Sequence, residues 1–281
     1  MKKIQILSGF SLRMIAILSM IVDHIALALG FFGYIEMSSS IYMIMRIIGR
    51  IAFPLFALGI VEGVIHSTNK GKYFLRLFVM LLIMMVGYIL VLDVMGIRAD
   101  FTGNIYSDLL LGALAIYFIS LKNTKSFLVL IPLSITAILQ LDVIPTFLAT
   151  QYSFYGVLLI VLMYLGYLFI EDLFTKFCAK NSVKIEDVKQ TLYFQKYVNA
   201  AYSVAIVIIF ICLYVLYTCF SDLNRILPYN FIQDYCILSV IFIMLYNGKR
   251  GYNAKWYRIA SYLIYPVHLI LIFGIFYLIN L

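Results

Sequence analysis

Nine apolar stretches, separated by short polar or turn-forming segments, cover most of this 281-residue sequence. An apolar helix of about 20 residues crosses the hydrocarbon core of a bilayer, and most of the stretches approach that length. Charged residues make up only 12% of the chain, against roughly 25% in soluble domains. The sequence therefore excludes a soluble fold and predicts an all-α, polytopic integral membrane helix bundle with nine transmembrane helices, ten being the alternative. The predicted spans are residues 12–33, 41–65, 74–94, 105–121, 126–142, 152–171, 199–220, 231–246 and 257–280.

The whole chain, residues 1–281, is predicted to form a single transmembrane domain. Its longest polar segment, 172–198, is predicted to be a cytoplasmic loop that lies partly at the membrane interface. Leu173, Phe174 and Phe177 recur there at helical spacing, which is typical of a helix lying on a membrane surface. The four cysteines show no CxxC motif and no Cys/His spacing, so no metal site is predicted.

The basic residues indicate which side of the membrane each loop faces. With the N-terminus inside, almost all of the 21 Lys and Arg residues fall in the inner loops and their flanks. The exceptions are Arg98 and Arg225 in outer loops, and Arg46 and Arg50 within the second span. Since short cytoplasmic loops retain basic residues, this distribution predicts a cytoplasmic N-terminus. Membrane topology alone is enough to explain the basic inner face.

Several ionisable residues are predicted to lie at one depth inside the membrane. His24 follows Arg13 by eleven residues, a rise of ~16 Å that brings the imidazole near the bilayer midplane. Arg50 reaches a similar depth in the second span, with Arg46 one turn away on the same face. His268 reaches it in the last span. A charge at the bilayer centre costs ~3 kcal/mol or more, so this convergence predicts a functional site.

Two kinds of explanation fit that convergence. In the structural one, Asp23 neutralises Arg46 or Arg50 and the cluster only fixes helix packing. In the chemical one, His24 is a general base and the arginines stabilise an oxyanion, which suits acyl transfer to a hydroxyl or amine. A proton-coupled transporter fits these residues almost as well as an enzyme does.

Two basic loops on the predicted inner side are candidates for binding a phosphorylated donor. Lys72 and Arg76 follow Asn69 and Gly71, and the second loop reads Asn247-Gly248-Lys249-Arg250-Gly251. Glycines let backbone amides approach a phosphate, and basic side chains bind its charge. Short inner loops often have this composition, so each loop alone is weak support for such a site.

Several motifs resemble those of the TraX family of bacterial membrane proteins, and the resemblance runs along the whole chain. They are the run from Arg13 to His24, the block Arg46-Ile47-Ile48-Gly49-Arg50-Ile51-Ala52-Phe53-Pro54-Leu55-Phe56 with Val61-Glu62-Gly63, the segment Tyr246 to Gly251, and Tyr265-Pro266-Val267-His268. The Arg13 to His24 spacing is also similar to that of the wider transmembrane acyltransferase superfamily.

The resemblance implies acetyl transfer, because the family is named for a conjugation-plasmid protein that acetylates the amino terminus of pilin. It implies His24 as the catalytic histidine, Arg13 as its partner toward coenzyme A, and Arg50 as a carbonyl or phosphate contact. Combined with the residues above, it predicts an acyl-CoA-dependent O- or N-acetyltransferase in the bacterial cytoplasmic membrane. The expected donor is cytosolic acetyl-CoA.

The candidate residues of that enzyme form two groups. The catalytic candidates are Asp23, His24, Arg46, Arg50 and His268, and the cofactor-binding candidates are Arg13, Lys72, Arg76, Asn247, Lys249 and Arg250. The expected acceptor is a surface glycan, a lipid-linked sugar or a peptide amine; no nucleic-acid partner is expected. The alternatives are a proton-coupled transporter or exporter and a non-catalytic membrane assembly factor.

Overall fold

The computed structural model describes residues 5–91, 103–121, 123–141, 144, 147–219 and 231–280. Arg98 and Arg225, the basic residues assigned to outer loops, lie outside these ranges. Within them the regular structure is helical, apart from two isolated β-bridges that join Leu7 to Tyr246 and Asn104 to Thr150. The predicted all-α fold is therefore confirmed for the described residues.

Helices follow one another along the described part of the chain. They are α1 (Gly9–Phe31), α2 (Ser40–Gly49), α3 (Ala52–His66), α4 (Lys70–Ile89), α5 (Ile105–Ser120), α6 (Leu130–Ile138), α7 (Ser153–Lys180), α8 (Ile185–Lys189), α9 (Leu192–Cys219), α10 (Ser239–Met244) and α11 (Lys255–Ile279). Two 3-10 helices, Thr124–Val129 and Phe231–Leu238, lead directly into α6 and α10.

Six helical segments among the described residues are long and apolar enough to cross a membrane. They are α1, the combined segment Ser40–His66, α4, α7, α9 and α11. The three other predicted spans coincide with shorter apolar helices, Ile105–Ser120, Thr124–Ile138 and Ile232–Met244. The chain is thus a multi-pass membrane protein, while the number of nine or ten crossings stays a prediction.

The polar segment 172–198 is mostly helical. Helix α7 continues through Lys180 and α9 already begins at Leu192, so both helices extend beyond the apolar stretches that predicted them. The apolar residues expected in a separate surface helix belong to the last turns of α7. One of them, Phe174, packs its ring edge against Phe194 of α9, with ring centroids 5.2 Å apart. Helix packing therefore explains this apolar spacing in part.

The second apolar segment is broken between α2 and α3. At the break, the N–H groups of Arg50 and Ile51 bond to the carbonyls of Ile47 and Ile48, three residues back. Pro54 follows four residues after Arg50 and has no N–H for the Arg50 carbonyl. A proline at this position also clashes with that carbonyl and kinks a helix. The break thus falls where the sequence places its proline.

The helices pack around a shared core. Helix α1 contacts α2, α3 and α11, while α7 contacts α3, α5 and α9. Fully buried side chains come from distant parts of the chain and include Phe53, Ile116, Tyr202 and Phe273. The two ends of the described chain therefore meet in the bundle, which brings α1 and α11 to one site.

Candidate functional site

Asp23 of α1 forms ion pairs with both arginines of the second segment. Its carboxylate oxygens lie 2.6 and 2.7 Å from Nη2 of Arg50, and Oδ2 lies 2.9 Å from Nη1 of Arg46. Asp23 and Arg50 are 6% and 5% exposed, so the pair is almost completely removed from solvent and lipid. The arrangement joins α1 to α2 and neutralises one of two positive charges at membrane depth.

Gly49 allows this ion pair to form. A β-carbon added at Gly49 would overlap the side chain of Asp23, including its Oδ1 atom. The glycine therefore lets the two helices approach until the carboxylate reaches Arg50 at the helix break. Small residues are common where membrane helices come together closely.

The two predicted histidines are in direct contact. Nδ1 of His24 lies 2.6 Å from Nε2 of His268, and Nδ1 of His268 lies 2.7 Å from the carbonyl of Ile264. A carbonyl only accepts hydrogen bonds, so Nδ1 of His268 carries a proton and donates to it. When His268 is neutral, its Nε2 accepts from Nδ1 of His24, and Nε2 of a neutral His24 carries a lone pair.

A small cavity adjoins Asp23 and His24. Its polar lining includes Gln151, Tyr152 and Tyr265. The Tyr265 hydroxyl donates to Oε1 of Gln151 at 3.2 Å, and the Tyr265 ring meets the His24 ring edge-on, with centroids 6.0 Å apart. Gln151 was not identified from the sequence, because a single glutamine between apolar stretches carries no motif.

Pro266 exposes a carbonyl that another helix uses. Because proline has no N–H, the carbonyl of Tyr262 loses its usual partner four residues later. The hydroxyl of Tyr106 in α5 donates to that carbonyl at 3.1 Å. The proline next to His268 therefore joins α11 to α5, a role that only the folded structure reveals.

A second buried carboxylate, Asp108 of α5, holds the start of α7. It accepts hydrogen bonds from the N–H groups of Gln151 at 2.7 Å and Tyr152 at 3.3 Å. These residues directly precede α7, and a carboxylate is favoured at this end because the N-terminus of a helix carries partial positive charge. Asp108 is completely buried, which makes this cap an internal connection between two helices.

A third carboxylate, Glu62 of α3, joins α3 to other elements. It accepts hydrogen bonds from the hydroxyls of Tyr202 at 3.2 Å and Tyr246 at 3.3 Å, and lies 3.4 Å from Nε2 of His66. The backbone carbonyl of Tyr246 also accepts from the Asn199 side chain at 2.7 Å. Glu62 thus connects α3, α9 and the chain after α10.

The predicted phosphate loop 247–251 pairs with the start of the chain. Its carbonyls at Lys249 and Arg250 accept from the N–H groups of Gly9 and Phe10 at 2.8 and 3.0 Å. The side chain of Asn247 accepts from the Lys249 N–H at 2.9 Å. The loop backbone is therefore held against the beginning of α1, while the side chains of Lys249 and Arg250 are exposed.

The other predicted cofactor-binding residues surround the same end of the bundle. Arg13 donates to the Ser261 hydroxyl at 3.3 Å, and its guanidinium carbon lies 6.0 Å from the ring centre of Tyr257. Arg76 lies 5.8 Å from the ring centre of Tyr73. The Lys72 side chain is exposed, and its N–H bonds to Asn69 at the start of α4. The structure thus brings Arg13 and Arg76 close to aromatic rings rather than to carboxylates.

Comparisons with known proteins identify relatives of this chain. A family model described as TraX protein matches residues 8–179. A probable fimbrial assembly protein FimC, serogroup H1, of Dichelobacter nodosus is 40% identical over 70 residues, which are 25% of this chain. The match spans 27% of that protein's length. No solved structure matches the chain.

These comparisons contradict the predicted acetyl transfer. The relative is described as a probable fimbrial assembly protein, which agrees better with the alternative of a non-catalytic assembly factor. The geometry gives a physical reason, because the arginines expected to bind an oxyanion, Arg46 and Arg50, are already paired with Asp23. Acetyl-CoA as donor, the acyl acceptor and the wider acyltransferase resemblance stay predictions.

The family itself was predicted from motifs along the whole chain. The match from residue 8 to 179 includes those in α1, α2 and α3, whereas the motifs at residues 246–251 and 265–268 lie beyond it. It covers more than half of the sequence. The chain therefore belongs to the TraX family.

Proposed function

We propose that this chain is a multi-pass protein of a bacterial cytoplasmic membrane that takes part in assembling fimbriae and catalyses no chemical step. The observation that carries this proposal is the 40% identity to a fimbrial assembly protein over 70 residues. Membership of the TraX family supports it. The match covers 27% of that relative. The role of the whole relative is therefore a proposal for this chain.

The buried polar groups support a structural role. Asp23 joins α1 to α2, Asp108 joins α5 to α7, and Glu62 joins α3 to α9. Each carboxylate meets donors from another helix, so its charge or hydrogen-bonding capacity is used inside the bundle. Polar contacts of this kind fix which helices pack together in a membrane. A stable bundle of defined shape suits a protein that holds assembly components at the membrane.

The proposal includes nine crossings with a cytoplasmic N-terminus. The three shorter apolar helices, Ile105–Ser120, Thr124–Ile138 and Ile232–Met244, supply the crossings beyond the six long segments. The basic residues at the starts of α1, α4 and α11 then face the cytoplasm, as the positive-inside rule favours. An odd number of crossings places the C-terminus outside.

The direct test is a deletion of the gene in its host, followed by counting surface fimbriae by electron microscopy. We expect the deletion to abolish or strongly reduce fimbriae and the wild-type gene to restore them. The pool of fimbrial subunit in the membrane should persist, because assembly rather than synthesis fails. A fully fimbriated deletion strain would refute the proposal.

A second measurement separates assembly from chemistry. The intact mass of the fimbrial subunit is compared between wild-type and deletion cells by mass spectrometry. We expect the two masses to be identical. A modification group that is present in the wild type and missing in the deletion strain would show that the protein has an enzymatic role.

A further inference from the structure

A group of arginines lies near two buried phenols at one end of the bundle. Arg13 and Arg76 both interact electrostatically with the phenol of Tyr73, and Arg13 and Arg250 both interact with that of Tyr246. In the part of the chain that the structure describes, none of these three arginines forms an ion pair with a carboxylate, whereas Arg46 and Arg50 both do. The three guanidinium groups therefore have no carboxylate in direct contact among the described residues, although Glu62 bonds to the same Tyr246 hydroxyl at 3.3 Å.

A buried hydroxyl beside Arg13 lacks an acceptor among the described residues. Tyr257 is 6% exposed, and the neighbour that interacts with its hydroxyl, Arg13, can only donate, so the hydroxyl hydrogen has no acceptor among the described residues. Its ring centre lies 6.0 Å from the guanidinium carbon of Arg13. A buried hydroxyl without an acceptor is costly, so a site that supplies an acceptor is favoured. Arg13 and Tyr257 together present hydrogen-bond donors. The group that complements them is an anion, which accepts hydrogen bonds and donates none.

The position of these residues shows which anion they meet. Arg13, Arg76 and Tyr257 lie within the first two turns of α1, α4 and α11. The loop that precedes α11 bonds to the start of α1, so these two helices begin on the same side, and Tyr73 near the start of α4 lies close to Arg13 of α1. Two turns of helix rise ~11 Å, so the residues lie near the boundary between apolar and polar layers. Helix N-termini add further positive potential there.

Exposed aromatic residues mark the same level. Tyr252 and Trp256 are 51% and 65% exposed, and the indole N–H of Trp256 donates to the Tyr252 hydroxyl at 2.9 Å. Trp and Tyr are enriched at the headgroup level of membranes. An anion at this depth belongs to a lipid rather than to the aqueous phase.

We propose that Arg13, Arg76, Arg250 and Tyr257 form a binding site for the phosphate headgroup of an anionic phospholipid, with Tyr252 and Trp256 at its rim. The headgroup phosphate accepts from the guanidinium groups and from the Tyr257 hydroxyl. The acyl chains extend along the apolar surfaces of α4 and α11. This site is independent of the assembly role.

The chain contains one tryptophan, and Trp256 lies at the proposed site, so its fluorescence reports the lipids next to it. The purified full-length protein is reconstituted in two kinds of vesicle. One contains brominated phosphatidylglycerol in unlabelled phosphatidylcholine, and the other contains brominated phosphatidylcholine in unlabelled phosphatidylglycerol. Since bromine quenches nearby indoles, we expect phosphatidylglycerol to quench more than its bulk fraction predicts. Equal quenching by both lipids at matched fractions would overturn the proposal.

Two variants test the named groups. Each basic residue near a membrane surface contributes about 1 kcal/mol to binding of anionic lipid, so Arg13→Gln should lower the relative affinity for phosphatidylglycerol about fivefold. Tyr257→Phe removes only the Tyr257 hydroxyl and should also lower the relative affinity for phosphatidylglycerol. Lys184→Gln, an exposed charge between α7 and α8, serves as the matched control and should change little. Wild-type preference in both site variants would contradict the assignment.

Inorganic phosphate distinguishes a lipid from a soluble anion. We expect millimolar phosphate to leave the preference for phosphatidylglycerol largely intact and to leave the thermal stability of the detergent-purified protein unchanged. If phosphate stabilised that protein as strongly as short-chain phosphatidylglycerol does, the site would bind a soluble anion and the lipid proposal would fail. If Arg13→Gln did not fold, Tyr257→Phe and Arg76→Gln would provide the same comparison.

Discussion

Nδ1 of His24 lies 2.6 Å from Nε2 of His268 and joins the first described helix to the last across 244 residues of sequence. The bond of His268 to the Ile264 carbonyl fixes its proton on Nδ1. His24 therefore acts as the donor to a neutral His268. The contact holds α1 and α11 together beside Pro266.

The histidine contact predicts a loss of stability when His268 is replaced. His268→Ala leaves the buried Nδ1 of His24 without its acceptor, which costs about 1–3 kcal/mol. The midpoint of thermal unfolding in mild detergent should fall, while Val267→Ala, a neighbour that is 44% exposed, should leave it almost unchanged. Equal midpoints for the two variants would show that the contact contributes nothing.

The ion pairs of Asp23 predict unequal effects of the two arginines. Asp23→Asn leaves two buried guanidinium groups without a counter-ion and should destabilise the protein by about 3–5 kcal/mol. Arg50→Met should cost more than Arg46→Met, because Arg50 contacts both carboxylate oxygens, whereas the buried Nε of Arg46 has no partner among the described residues. Chemical denaturation in detergent measures the free energy of unfolding of each variant and so ranks the two arginine substitutions. The reverse order would refute this assignment.

A pair of glycines tests the close approach of α1 and α2. Gly49→Ala places a methyl group on the side chain of Asp23 and should sharply lower both stability and yield. Gly59→Ala meets no atom within 4 Å and replaces a poor helix former, so it should be neutral or stabilising by up to about 1 kcal/mol. Thermal unfolding of both variants, compared side by side, measures the difference. If both were tolerated, the ion pair would not depend on Gly49.

The cap formed by Asp108 predicts a local effect at α7. Asp108→Ala removes the acceptor for the Gln151 and Tyr152 N–H groups and should cost about 1–2 kcal/mol, as for other N-terminal caps. Hydrogen exchange should accelerate at Gln151 and Tyr152, which directly precede α7. Asp172→Asn, which removes an exposed carboxylate near the other end of the same helix, is the control. Unchanged protection from hydrogen exchange at residues 151–153 in Asp108→Ala would contradict the proposed role of Asp108 as a cap.

The convergence of the ionisable residues was predictable, because a helix rises a fixed distance per residue. Spacing alone placed His24, Arg50 and His268 at one level, and the structure brings all three into one region. The choice of partners was not predictable. Whether Asp23 meets an arginine or a histidine depends on how each helix is rotated within the bundle, which a single sequence does not specify.

Helix ends were less well predicted than helix existence. Apolar composition shows where a residue is surrounded by lipid or by the protein core, but not where the helix itself ends. It therefore located α7 but ended it near residue 171 instead of Lys180. The cap by Asp108 and the bond from Tyr106 to Tyr262 also escaped prediction. Both join backbone groups of one helix to a side chain from another, and neither leaves a local motif.

Function was the least predictable property, since a buried histidine beside arginines fits a catalyst and a packing device equally well.

The most direct test of the proposed role is the number of fimbriae on cells in which the gene is replaced by one that encodes the His24→Gln variant. Glutamine still donates a hydrogen bond toward His268 but has no imidazole to act as a base. We expect normal protein abundance and a wild-type number of fimbriae. A stable, abundant His24→Gln protein in cells without fimbriae would contradict a non-catalytic role.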